Sequence, residues 1–399
     1  MLNLKTALHE RICPICSFPE KSHLYTQMFG NEVLSLSESY DVVVCNHCGF
    51  VYAEGIPSQA DFNNYYAQMS KYEFNYSDGI VSDEYVVMFT KIVNFLIPHL
   101  NDKNARILDI GCSTGCLLSL FKLNGYLNLL GLDPSSSCVK TIKELYNIEA
   151  TVNSIYSFDT DEKFDLIILS SVLEHLVDCN NSMQKIYSLL KDHGLLFIEV
   201  PDAERFDLYI SAPFQQFSIE HINYFSQYSI KNLLSIFHFK ILKMQQNECK
   251  LNRTIHPDIH MLSQKTDENN FTMIRDNISE LKIRDYITKC SIIDLEVKSI
   301  IKNKLLNKNK IIVWGVGTHT QRLIASGLDL SKVLYFVDSN TRYAGKKVKG
   351  IEIKLPCDIK DESPILISTY SCQDEIVHQI KEFLKLNNEI ITIYSEGMF

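Results

Sequence analysis

The sequence predicts an α/β chain in three parts, with two units of doubly wound, parallel-sheet character. Three observations carry this reading. The first is Ala105-Arg-Ile-Leu-Asp-Ile-Gly-Cys-Ser-Thr-Gly-Cys-Leu-Leu118, which reads as a buried strand, a tight turn from Gly111 to Gly115 and the opening of a helix. The second is Leu129-Leu-Gly-Leu-Asp133, an apolar run ending in a carboxylate about 20 residues on, where an acidic group meets a ribose diol in nucleotide-binding sheets. The third is Lys310-Ile-Ile-Val-Trp-Gly315-Val-Gly317-Thr followed by Tyr335-Phe-Val-Asp338, which repeats the plan of strand, glycine turn and acid near the C-terminus.

Composition bounds the partners. A chain of 399 residues has room for two or three domains. With 46% hydrophobic and 22% charged residues it is globular rather than disordered. A net charge of -9 argues against a nucleic-acid partner, which would favour a basic face. No apolar run is long enough to span a bilayer, and Met1-Leu-Asn-Leu-Lys5 has no signal-peptide pattern, so a cytoplasmic protein without membrane contact is expected. In a reducing compartment the 12 cysteines are not a disulfide framework.

Four cysteines are organised. Cys13-Pro-Ile-Cys16 and Cys45-Asn-His-Cys48 are C-x-x-C knuckles, each turning two thiolates toward one point, and together they supply a closed tetrahedral S4 site for structural zinc. Gly49 suits a left-handed position directly after the second knuckle, and a hairpin between about Ser22 and Val44 fills the gap. A closed site leaves no open coordination position, so this zinc is not expected to be catalytic. From Asp61 to Tyr85 the chain is rich in tyrosine (Tyr65, Tyr66, Tyr72, Tyr76, Tyr85) and is placed to fold over the glycine loop, with Tyr76 as the candidate to touch ligand. A helix from Asp83 to Leu96 then leads into the first strand.

The doubly wound pattern continues with a third strand at Thr151–Phe158, where Asn153 or Ser154 would meet an adenine. A fourth strand, Lys163–Ser170, ends beside the glycine loop, where open α/β sheets bind ligands. Ser171-Val-Leu-Glu174-His175-Leu is expected to open the next helix, with His175 facing either a ligand or the helix packing. Gly194–Pro201 is a fifth strand. Beyond it, Phe217-Ser-Ile-Glu220-His221-Ile-Asn-Tyr224-Phe-Ser226 sets a Glu-His pair among aromatics: a general base with a carboxylate beside it, or a buried histidine satisfied by backbone. Residues 267–308 carry helical periodicity and many charges and are read as helices joining two domains.

The first loop reads Asp109-x-Gly111-x-x-x-Gly115 rather than the G-x-G-x-x-G of dinucleotide sites. In this it resembles class I S-adenosylmethionine (SAM) methyltransferases, a resemblance covering about Tyr72 to Lys250. That likeness implies SAM as cofactor, with contacts from Asp109, Gly111, Cys112, Gly115, Asp133, Pro134, Ser154 and Ser170. Zinc knuckles, a SAM domain, an E-H-x-x-Y-F-S element and a second Rossmann-like domain together resemble the sugar C-methyltransferases of deoxysugar pathways. The wider resemblance implies methylation of a carbon next to the ketone of a nucleotide-linked keto-sugar, with His221 as base and Glu220, Tyr224, His175 and Tyr76 at the site. The family's Tyr-His before its Glu-His is here Ser218-Ile219, its H-G-G-S stretch is replaced near Leu251-Asn-Arg-Thr-Ile-His-Pro257, and its Trp-Asn pair near Thr369-Tyr-Ser-Cys372. An O- or N-methyltransferase of a sugar or other small metabolite is the alternative. The expected domains are a zinc-binding part at 1–70, a SAM-binding part at 71–255, a helical linker at 256–308 and a Rossmann-like part at 309–399, in a monomer or homodimer. The last part could hold NAD, hold the substrate's nucleotide or act as scaffold, and the resemblance implies the nucleotide.

Overall fold

A computed structural model describes residues 10–30, 36–69, 76–77, 80–268 and 271–395. The N-terminal part is an antiparallel meander of β1 (Lys21–Met28), β2 (Ser39–Cys45) and β3 (Val51–Glu54). The first knuckle precedes β1 and the second closes β2, so the hairpin between them brings both to one end. Helix α1 (Gln59–Met69) carries Tyr65 and Tyr66. A two-residue pairing of β4 (Tyr76–Ser77) with β5 (Ile80–Val81) and then α2 (Asp83–Leu96) lead into the central sheet. Helix α2 buries Ile92, Val93, Phe95 and Leu96 at helical spacing.

The central sheet is built from β6 (Ile107–Ile110), β7 (Leu129–Asp133), β8 (Glu149–Val152), β9 (Phe164–Ser170) and β10 (Leu190–Pro201). Between them run α3 (Cys116–Leu123), α4 (Ser136–Tyr146) and α5 (Cys179–Leu189). All four residues of β6 are buried, as a parallel strand covered on both faces requires. Alternate side chains serve opposite cores: Leu108 and Ile110 pack with Phe164 and Ile198 on one face, and Ile107 packs with Phe121 and Phe197 on the other. The short strand β11 (Asn223–Tyr224) leaves this sheet and pairs antiparallel with β3, stitching the central part to the N-terminal one. After α6 (Gln227–Ile236), the hairpin of β12 (Phe239–Leu251) and β13 (Thr254–Lys265) completes the order β12-β13-β10-β9-β6-β7-β8, with β13 antiparallel to β10.

Three local expectations are corrected. The third strand stops at Val152, and residues 155–157 form a turn. The segment after β9 makes only a single 3-10 turn (Leu173–His175); Ser171 takes a left-handed φ of 55°, and the helix waits for the Asp178 cap before Cys179. The central sheet extends to Lys265, past the expected end at 255, because Asn252 adopts φ 52° and turns β12 back on itself as β13.

One helix, α7 (Ser279–Lys304), forms the connection. Its buried stripe runs Ile283, Tyr286, Cys290, Asp294 and Val297, a period of three and four that faces the core. Tyr286 Oη accepts from the Gln216 amide at 3.0 Å and Cys290 Sγ from the Phe214 amide at 3.2 Å, so α7 braces the loop before the Glu-His element. The C-terminal sheet contains β14 (Ile311–Trp314), β15 (Val333–Val337), β16 (Lys347–Val348), β17 (Ile351–Lys354), β18 (Ile365–Ile367) and β19 (Ile390–Thr392). It is ordered β16-β17-β15-β14-β18-β19 and is parallel except for β16. Helix α8 (Thr318–Ala325) follows the glycine turn, and α9 (Gln373–His378) precedes β19. Arg322 of α8 docks this domain: buried, it donates to the Pro213 carbonyl at 2.6 Å and to Asp294 of α7 at 2.8 Å.

Candidate active site

The strand order of the central sheet reverses between β6 and β9, and the crevice at their carboxyl ends is the expected ligand site of an open α/β sheet. Gly111 (φ 74°) and Gly115 (φ 87°) form the turn after β6. A Cβ on Gly111 would lie 2.5 Å from Val172, and one on Gly115 would lie 2.2 Å from Ile142. Both therefore clear protein neighbours, and close approach to a ligand is not the sole reason for glycine here. Asp133, at the end of β7, accepts from the Ser113 amide (2.9 Å) with one oxygen and from the Ser135 amide (2.8 Å) with the other. A carboxylate has about four acceptor sites, so pinning the loop is compatible with meeting a ribose diol.

Asp109 is buried in β6, and burial, then the Asp133 charge, pushes its carboxyl well above the usual range. Cys112 is buried in the turn, its thiol pushed up by burial and by Asp133. Pro134 is half-buried directly after Asp133. Ser170, ending β9, donates to Glu199 at 2.7 Å, and Ser171 donates to the same oxygen at 3.0 Å. Ser154 lies just past β8, its hydroxyl 3.0 Å from that of Ser157. The loop, Asp133, Pro134 and Ser170 thus lie at the carboxyl ends of β6, β7 and β9, and this donor set fits a nucleoside cofactor.

The dipeptide Glu-His occurs at 174–175 and 220–221, and the fold brings the two copies together. The Ile222 amide donates to the Glu174 carbonyl at 3.0 Å, and the His175 and His221 rings meet edge to face at 4.9 Å. His175 Nδ1 lies 3.0 Å from the Glu220 carbonyl and 3.0 Å from Tyr66 Oη. A carbonyl can only accept, so Nδ1 is the donor in that contact. Tyr65 donates to the Glu220 carboxylate at 3.0 Å, and the His221 amide donates to Ser218 Oγ at 3.1 Å. Glu220 and His221 sit in the irregular segment just before β11.

Glu174 is the residue that sequence reasoning passed over. It is 1% exposed, and neither carboxyl oxygen has a hydrogen-bond partner among the described residues. Burial, then Glu199, pushes its carboxyl well above the usual range. A buried polar group left without a partner costs about 1–3 kcal/mol, so its retention calls for an explanation. The only signal in the sequence was its place in a repeated dipeptide.

Tyr224 is corrected. Its ring is 1% exposed and packs against Phe217, and its hydroxyl donates to Tyr40 at 3.1 Å, so it is a core residue. Tyr76 is described only in its backbone, which pairs with Val81, and Tyr72 lies outside the described residues. The C-terminal domain also reaches the crevice. Arg342 lies 3.4 Å from Ser137 Oγ at the start of α4, and Tyr343 is pushed up to about 12 by burial and then by the charges of Asp338 and Glu220.

Sγ of Cys13 and Cys48 are 3.5 Å apart, as are those of Cys16 and Cys45, and all four sulfurs lie within 4.8 Å of one another. A tetrahedral cation with bonds of about 2.3 Å sets sulfurs about 3.8 Å apart, so the donor set fits zinc.

Residues 84–244 match a family model described as a methyltransferase domain, and residues 307–391 match one described as C2185-like, N-terminal. The chain is 30% identical over 147 residues to a carboxy-S-adenosyl-L-methionine synthase of Campylobacter fetus, covering 31% of this chain and 60% of that protein. It is 30% identical over 98 residues to a ubiquinone biosynthesis O-methyltransferase of Bradyrhizobium diazoefficiens, covering 23% of this chain and 38% of that protein. The match thus spans less than two thirds of either relative's length. Among solved structures, the magnesium protoporphyrin IX methyltransferase of Synechocystis with bound SAM is similar at 16% identity and a TM-score of 0.39, covering 52% of this chain and 96% of that one. The part of the chain that matches the methyltransferase-domain model is built on a Rossmann-like α/β core. No helix among the described residues is long and apolar enough to cross a membrane.

Proposed function

We propose that this chain is a SAM-dependent methyltransferase of a small-molecule acceptor, methylating the carbon next to the ketone of a nucleotide-linked keto-deoxysugar through an enolate. The observation that supports the reading is the convergence of both Glu-His pairs just beyond the end of β9, beside the crevice that fits the cofactor. Gly111, Gly115, Asp133 and Ser170 are the residues that would hold SAM, and bound SAM supplies an electrophilic methyl group. His221, half-buried and in contact with His175, takes the proton α to the ketone. Tyr65 and Tyr66 fix Glu220 and His175 around it, so the acceptor meets a rigid wall. The C-terminal domain, whose Arg342 reaches α4, holds the nucleotide half. Zinc on Cys13, Cys16, Cys45 and Cys48 is structural.

The match to an O-methyltransferase supports a second reading, in which the same base takes a hydroxyl proton. Deuterium exchange separates the two. With a nucleoside-diphosphate-linked keto-deoxysugar and no SAM, the wild type should exchange the α-hydrogen with solvent. His221→Asn should keep SAM affinity and lose exchange and turnover together, by about 10²–10⁴-fold. Near-normal exchange and turnover in that variant would remove His221 as base, and turnover without exchange in the wild type would favour the oxygen acceptor.

A further inference from the structure

We infer that Glu174, His175 and His221 form a binding site for a divalent first-row transition cation, separate from the four-cysteine site. Donor atoms of the three side chains lie within 4.8 Å of one another. Two imidazoles and one carboxylate are a donor set suited to iron, cobalt, nickel or zinc in the divalent state. Each member is prepared for the role. Glu174 is almost fully buried and both of its oxygens lack a hydrogen-bond partner among the described residues, although polar groups in such places are ordinarily satisfied. His175 directs Nδ1 to the Glu220 carbonyl at 3.0 Å, and its Nε2 lies 3.8 Å from Glu174 Oε1. A backbone carbonyl on the distal nitrogen is the usual outer support of a metal-bound histidine. His221 closes the triangle from the other Glu-His pair and is the half-buried member. Metal–ligand bonds of about 2.0–2.2 Å place donors roughly 3.0–3.5 Å apart, so small rotamer shifts close the site.

The inference rests on this cluster being the place where the acceptor reacts, and it adds a consequence. A cation held by His221 occupies the lone pair that takes the acceptor's proton, so cation binding and base catalysis exclude one another.

The test loads the full chain with zinc, removes excess, and titrates Co²⁺ by calorimetry and visible absorption. The expected result is one further Co²⁺ per chain, with ligand-field bands but without the intense thiolate charge transfer of a sulfur site. Glu174→Gln, which keeps the side chain's shape, and His221→Asn, which alters the half-buried member, should each weaken this binding at least about tenfold while zinc content stays at one. No second Co²⁺ bound by the wild type at millimolar concentration overturns the site, as does unchanged binding in Glu174→Gln. Turnover of the keto-sugar with and without Co²⁺ keeps the two readings apart. Inhibition that Glu174→Gln relieves upholds both, whereas activation upholds the cation site and removes His221 as base.

Discussion

Replacing Asp133 by Ala should affect SAM affinity and domain stability by separable amounts. Its carboxylate accepts from the Ser113 and Ser135 amides at 2.9 and 2.8 Å, and hydrogen bonds to a charged group contribute about 1.5–3 kcal/mol each. The two losses are not equal. Ser113 is half-buried and its amide can take water in exchange, whereas Ser135 is 1% exposed and its amide cannot. The expected destabilisation of the cofactor-free protein is therefore about 2–4 kcal/mol, most of it at Ser135. Loss of the ribose contact should weaken SAM at least tenfold, about 1.4 kcal/mol. Titration calorimetry reads the second effect, and denaturant unfolding without cofactor reads the first. Asp133→Asn, which keeps one acceptor oxygen, should fall between. A lowered unfolding midpoint with an unchanged SAM dissociation constant would refute the ribose role and leave Asp133 as a loop anchor only.

Two further predictions concern the other domains. Cys45→Ser should release the zinc and lower both soluble yield and unfolding midpoint rather than change rate alone, because a structural metal contributes folding free energy directly; elemental analysis with a thermal melt checks it. His319 is buried, its Nε2 2.6 Å from the Tyr394 hydroxyl, and burial, then the charge of Arg322, lowers it to about 3. An unfolded histidine titrates near 6.5, so stability is present above that pH and is lost as pH falls toward 3, by up to about 1.4 kcal/mol per unit. Trp314 is the chain's single tryptophan and lies buried in β14 of the same domain, so its fluorescence during denaturant unfolding from pH 7 to 4 reports this loss. His319→Gln should flatten the acid limb, and parallel curves for the two proteins would refute the argument.

What could be read from the sequence was local or periodic. The strand-turn-helix at Ala105–Leu118, the acid at Asp133 and each single C-x-x-C knuckle lie within one short stretch, where spacing alone fixes geometry. Helix α2 has the predicted bounds because its apolar stripe and its flanks agree. The failures were of two kinds. Strand ends at Val152 and Lys265 depend on single left-handed or turn residues, whose effect is decided by what the chain can pair with afterwards. Roles at the site depend on long-range contact. Tyr224 and His221 stand three positions apart in one motif, yet one ring is enclosed by Tyr40 and Phe217 and the other faces His175. Glu174 looked like part of a helix start, and only the approach of the second Glu-His pair, across tertiary structure, gives it partners of interest.

That approach is enforced from the N-terminal part. Arg11, two residues before the first knuckle and 6% exposed, donates to the carbonyls of Ala53 (2.8 Å), Ile222 (3.2 Å) and Val177 (2.9 Å) and to Asn223 Oδ1 (2.9 Å). Asn223 in turn donates to the carbonyls of Leu173 (3.1 Å) and Leu176 (2.7 Å), the residues flanking Glu174-His175. One guanidinium thus ties β3, the Glu220-His221 segment and the turn carrying Glu174-His175 into a single clamp, and Tyr40 of β2 adds a bond to the Ser218 carbonyl at 2.8 Å. Burial makes the Arg11 charge costly, so the clamp persists only while its acceptors stay in register. Cys13 and Cys45 fix the start of that register, because Arg11 and the end of β2 leave the four-cysteine cluster directly. A cation bound at those sulfurs would therefore act on the spacing of the two Glu-His pairs through Arg11 and Asn223.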